Sequence, residues 1–297
     1  MALYDTDKFL ASVRQRGALP TTSNTNNVNS TANLLALATE ELHIKLLPLI
    51  MSTREEFYVT ETDFALVAGT AKYSIPTRAS GLVLRDLQII SGNSIQSLPP
   101  IDPEVISTTS QGAVEAYYLQ HNKVVLYPTP GSSSDTLRMR YFARPSRLAA
   151  ILDCAKIISI DTDTSTVTVS TVPSTWGTGT VVDFVSADIP YQCRAIDQVI
   201  LTVSGADITF TSLPADLAAA DWVAPQEYSP IPQVPQEFQP VLAQMTVVKA
   251  LQALGDEQAA ATAQKDLDIL QQNALLLVTP RNQGETRKII NRNWRRR

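Results

Sequence analysis

The chain has 297 residues, 44% of them hydrophobic, and a net charge of −5. A chain of this length can bury about three quarters of its unfolded surface, so a core needs neither metal nor disulfide. No apolar run approaches the roughly 20 residues that cross a bilayer, and Asp5 and Asp7 stand where a secretory signal would place a basic and then an apolar region. The expectation is a soluble protein that stays where it is made, with no membrane partner.

The first predicted element is a short helix over residues 6–16, with Phe9, Leu10 and Val13 on one side and Gly17 placed to stop it. Thr21 to Asn29 is rich in Asn, Ser and Thr and reads as a loop. A longer helix starts near Thr31, where Leu34, Leu37, Ala38, Leu42 and Leu46 recur at helical spacing. Pro48 is expected to bend or end it, and Arg54, Glu55 and Glu56 fit one more helical turn.

From Phe57 to about Tyr228 the period changes to two. One set of strands is predicted at 57–59, 71–75, 83–90, 116–119, 124–127 and 137–142, with His121 and Asn122 turning a hairpin. A short helical turn is placed at Leu148 to Leu152. A second set of strands follows at 157–160, 167–170, 181–185, 195–203 and 208–210. About eleven short strands with no helices between them argue for sandwich-like or barrel-like structure.

Pro225, Pro230, Pro232, Pro235 and Pro240 then mark an extended spacer. Phe238, Leu242, Met245, Val248 and Leu251 predict an amphipathic helix that stops at Gly255. Asp256 caps the next helix, where Ala260, Ala263, Leu267, Leu270, Ala274 and Leu277 alternate at spacings of three and four. Such a narrow seam suits an αα-hairpin with the neighbouring helix, and it also suits a seam between molecules.

The fold class expected from these elements is α+β, a helical bundle of N- and C-terminal segments with a large inserted β-rich region. The organisation reads as an N-terminal helical part (1–56), a first β region (57–150), a β insertion (151–213), a proline-rich spacer (214–236), an αα-hairpin packing on the N-terminal helices (237–278) and a basic arm (279–297).

Signals for chemistry are weak. Cys154 and Cys193 lack Cys-x-x-Cys spacing and read as small buried hydrophobes. His43 and His121 stand far apart in sequence, with no metal-ligand spacing to another His, Cys or paired carboxylate, and default to the surface. Asp161, Asp163 and Ser165 alternate like calcium ligands, but Thr166 and Val172 occupy the positions that need glycine and a bidentate glutamate. Glu40, Glu41, Glu55 and Glu56 read as solvated helix-face charges. No nucleophile elbow, Walker loop or dinucleotide fingerprint is present. The residues name no catalytic, cofactor or metal site, and a non-enzymatic protein is expected.

One segment asks for a partner. Residues 281–297 hold seven cations and one acid, a surplus of +6 that leaves −11 on the other 280 residues. Arg281, Arg287, Lys288, Arg292, Arg295, Arg296 and Arg297 are interleaved with Ile289, Ile290 and Trp294, so the arm offers apolar anchors as well as charge. A solubilising end and a nucleic-acid contact are the rival readings. One short tail on an acidic body lacks the broad basic face of a dedicated nucleic-acid binder, which favours docking on a protein.

Several stretches carry a family resemblance: FYVTETDFALVAGTAKYSIPTRASG from Phe57, LRDL from Leu84, VLYPTP from Val125, YFARPSRL from Tyr141, DWV from Asp221, and the close from Pro280 to Trp294. Together they resemble the head-to-tail adaptor, or connector, proteins of tailed bacteriophages. The resemblance implies a virion neck protein made in the host cytoplasm, assembled as a ring of twelve copies between the portal protein and a tail or nozzle protein. DNA would pass through the lumen without sequence-specific binding. It also implies that Arg281 to Arg297 form a portal-docking arm. An acidic body would keep exiting DNA off the lumen wall, a hypothesis that a lumen lined with Lys and Arg would contradict. Another phage tail or baseplate subunit is the alternative within the same class.

Overall fold

The computed structural model describes residues 4–21, 27–106 and 110–278, and the fold mixes helix and strand. No described helix is long and apolar enough to cross a membrane.

Helix α1 (Thr6–Gly17) starts where Asp5 accepts from the Lys8 amide and buries Phe9, Leu10 and Val13. Gly17 belongs to the helix, and the left-handed cap is Ala18 at φ 48°. The site is also crowded: a Cβ there would lie 3.0 Å from the Leu19 side chain and 3.2 Å from Val247, so both would have to give by a few tenths of an ångström. Helix α2 (Thr31–Glu41) is capped by Ser30 and passes through a π-helical turn, Leu42–Leu46, into α3 (Leu47–Thr53). Pro48 follows the π-helical turn and sits in the first turn of α3, so of the two expected outcomes, a bend or an end, the end does not occur and the chain stays helical through the proline. Glu55–Tyr58 add a 3-10 turn.

The first β region contains β1 (Val59–Ala65), β2 (Lys72–Ser74), β3 (Ala79–Ser91), β4 (Ser94–Ser97) and β5 (Gln111–Gly112). It continues through β6 (Ala116–Gln120), β7 (Lys123–Tyr127), β8 (Thr129–Pro130) and β9 (Thr136–Ala143). Strands β1, β9, β3 and β4 form one antiparallel sheet in that order, and β2, β7 and β6 form a second. Leu87, Ile89, Leu137 and Met139 from the first sheet share a core with Tyr73, Val124 and Leu126 from the second, which makes a sandwich. Strand β1 starts two residues later than expected because Phe57 and Tyr58 belong to the 3-10 turn. Its polar run Thr60 to Asp63 was not legible as a strand, since its outward charges pair across the sheet with Arg138.

After β10 (Arg147–Leu148) comes the 3-10 turn Ile151–Asp153, and then a closed barrel. Its strands are β11 (Ala155–Asp161), β12 (Thr166–Val169), β13 (Val181–Val185), β14 (Cys193–Ser204), β15 (Asp207–Phe210) and β16 (Trp222–Pro225). The threonines of β12 alternate with buried Val167 and Val169, which point into a core with Phe184, Ile200 and Phe210. Closure depends on β16, where Val223 pairs with both Ala155 and Phe184.

Residues 214–236, expected as an extended spacer, therefore supply the closing strand and also β17 (Tyr228–Ser229), which pairs with β10. Ile231 and Val234 are fully buried. Prolines keep this chain extended, but its apolar residues between them draw it onto the body.

Helix α4 (Gln239–Leu254) was expected to be amphipathic, yet it is buried on nearly every side because α1, α2 and α5 all pack on it. Gly255 in the left-handed region ends it, and Asp256 accepts from the Ala259 amide to start α5 (Glu257–Val278). Residues of α1–α4 and of α5 share one apolar core. The seam of α5 buries Ala260, Ala263, Leu267 and Ala274 as expected, but its last member is Val278, with Leu277 exposed. A straight helix turns 3.6 residues at a time, so a 3.5-residue pattern drifts off its partner by the end.

Candidate assembly surfaces

Where the sandwich, the barrel and residues 226–236 meet, the sequence has buried charge. Asp183 lies in the apolar strand β13 and is fully buried. It accepts from Arg78 Nη2 at 2.6 Å, from the Asp197 amide at 2.9 Å and from the Glu227 amide at 2.8 Å. Burial pushes the Asp183 carboxyl up against these three donors. Burial also opposes the Arg78 charge, but the neighbouring carboxylate outweighs it and holds that guanidinium above its ordinary range.

Arg78 also lines a cavity of about 210 Å³, together with Tyr58, Tyr141, Gln192, Cys193 and Gln233 among others. The other guanidiniums on its wall are also committed. Arg194 donates to Asp221 at 2.6 Å and Asp216 at 3.0 Å, and Arg144 reaches Glu227 at 3.3 Å. Chemically this is a lock between units, with its charges already paired. Sequence reading missed it, although one signal existed: an acid inside the apolar run Val181 to Val185 needs a buried partner.

The other candidates fall apart in space or in role. His43 is half-buried, not a surface residue, with Nε2 2.8 Å from the Pro145 carbonyl; burial lowers its pKa. It ties the helical part to the strand linker. His121 is exposed at φ 57° in the two-residue turn between β6 and β7. Asp161 accepts from the Asp163 and Thr164 amides and the Thr164 hydroxyl, closing the β11–β12 turn with its own carboxylate.

Cys154 is buried, and burial pushes its thiol up. Burial raises the Cys193 thiol too, which lies 3.6 Å from the Ser146 hydroxyl. Glu41 departs from the solvated reading: only 2% exposed, it sits 2.7 Å from Lys45 and 3.6 Å from Lys249, because α4 packs against this stretch of helix. Glu56 pairs with Arg85.

Charge is partitioned sharply. Residues 1–150 carry 13 acids and 13 bases, whereas 151–221 carry nine aspartates against Lys156 and Arg194, and 222–280 carry six acids against two bases. The acidic surplus of the body therefore belongs to residues 151–221, which hold most of the barrel, at −7, and to residues 222–280, at −4. The basic arm, from Arg281 through Arg287, Lys288, Ile289, Ile290, Arg292 and Trp294 to Arg297, lies outside the described residues.

A family model described as SU10 adaptor protein matches residues 7–182. The chain belongs to this phage adaptor family. The match enters the adaptor in α1, crosses the sandwich and ends within β13, one residue short of Asp183. No curated protein matches the adaptor.

Proposed function

We propose that the adaptor is the subunit of a head-to-tail ring that joins the portal to the tail around the DNA channel, with the bundle of N- and C-terminal helices as its rigid body. The family match over more than half of the chain carries this reading. The charge asymmetry supports the docking half of it, because a short arm of +6 bearing Ile289, Ile290 and Trp294 can grip a protein surface, and many such arms in one ring act together. Tail protein below, portal above and DNA inside are the partners this role requires, with no cofactor and no reaction.

Truncation after Pro280 tests it. The shortened chain should fold as before but lose capture by portal rings, read by co-sedimentation or negative-stain imaging. Undiminished capture would remove the arm from the docking role. Steep, salt-sensitive binding to naked DNA in place of portal capture would favour a nucleic-acid role instead.

A further inference from the structure

Helix α5 has more apolar surface than α4 covers. Beyond its buried seam, Ile269 is 58% exposed, Leu276 76% and Leu277 71%. Ile269 and Leu276 are seven residues apart, as are Leu270 and Leu277, so the two pairs run side by side along one flank of the helix. Part of this flank lines a groove of about 660 Å³ that is also bounded by Gly17, Leu251, Ala263 and Asp266. Arg16 is the cation on that groove, and it is engaged, donating to Ser12 Oγ at 3.2 Å and Gln244 Oε1 at 3.3 Å.

Three facts bear on what occupies the groove. The basic arm begins just past Leu276 and Leu277, at the end of the same helix. Reach is not limiting: Ile289 is 11 residues beyond Val278, up to about 36 Å of extended chain, while Ile269 is only about 13 Å back along α5. Polarity is complementary, since the arm sets Ile289, Ile290 and Trp294 among cations, and the groove sets apolar lining beside Asp266 and the already engaged Arg16, on helices α4 and α5 whose residues 239–278 carry four acids against two bases. We infer that the groove holds the Ile289 to Trp294 segment of its own chain until a portal takes it.

The holding contact is independent of the portal; the release step rests on the proposed docking role. A groove-bound arm is unavailable to the portal, so apparent portal affinity falls by the fraction of arms that are free.

Hydrogen exchange on the full chain tests this. Amides of residues 286–294 should exchange at least about tenfold more slowly than in an unstructured peptide. Ile269→Lys, which removes the apolar contact and repels the cationic arm, should return them to the unstructured rate and raise portal capture, and Leu276→Lys should act in the same direction. Both positions are largely exposed, and unchanged protection of α1 and α4 would certify that the variants fold. Three results overturn the latch: unstructured-rate exchange in the unaltered chain, protection indifferent to Ile269→Lys, or protection that disappears on dilution because a neighbouring copy supplies the arm. A protected arm with no portal capture by any variant would instead sink the docking role and leave the latch standing.

Discussion

The barrel of β11–β16 and the sandwich built on β1, β3, β4 and β9 are both antiparallel, yet they handle charge in opposite ways. On the outer face of the sandwich, Arg138 lies 3.3 Å from Glu61 and 2.8 Å from Asp63, Arg140 lies 2.9 Å from Asp86, and Arg85 pairs with Glu56. Opposite charges facing each other across strands favour one register over its neighbours. An open sheet needs that help, because its edges can slip or recruit another strand. The barrel has no edge. Its register is fixed by closure, and its surface is free to carry aspartates in excess, including Asp161, Asp163 and Asp207. A closed sheet can thus hold a single-sign field that an open one would risk on its pairing.

The largest test of this contrast lies at the lock that joins the two. Asp183→Ala would leave buried Arg78 with only the more distant Asp197 carboxylate at 3.6 Å and two amides without an acceptor, and should cost about 3–5 kcal/mol in urea unfolding. A loss below about 1 kcal/mol would mean that the units hold together without it.

A smaller effect is expected on the sandwich face. Arg138→Ala removes contacts to two acids, but these are partly solvated, so the loss should stay near or below about 1 kcal/mol and shrink in high salt.

The pH response should follow the same face. The Arg138 hydrogen bond holds the Asp63 carboxyl below its ordinary range. A depressed carboxylate stabilises the fold above its unfolded value of about 3.9 and loses that contribution as pH falls through the folded value. Asp63→Asn should therefore flatten the decline in stability below about pH 4. The gain is modest because the side chain is 43% exposed. A decline of unchanged steepness would show that Asp63 does not carry it.

Smallest and opposite in sign, Asp163→Asn on the barrel should change stability by a few tenths of a kcal/mol in the stabilising direction, since it removes one of many like charges. A clear loss would mean that this aspartate has a local partner and that the barrel's charge is less free than the comparison holds.

Local pattern was enough to place four of the five described α-helices, the hairpin at His121 and most strands of both β sets. Those features live in periods of two and 3.6 and in turn residues, which are written along the chain. Family resemblance was also legible in the strand and turn segments from Phe57 onward.

What tertiary structure alone decided is where distant segments meet. Residues 222–225 close a barrel because the edges of β11 and β13 lie open to them, a fact about strands some 40 and 70 residues away. Gly17 is crowded by Val247, Glu41 is buried by α4, and Asp183 waits for Arg78. Periodicity reports which side of an element is apolar; only packing names the partner, because burial and charge pairing depend on neighbours in space and leave no fixed spacing in the sequence.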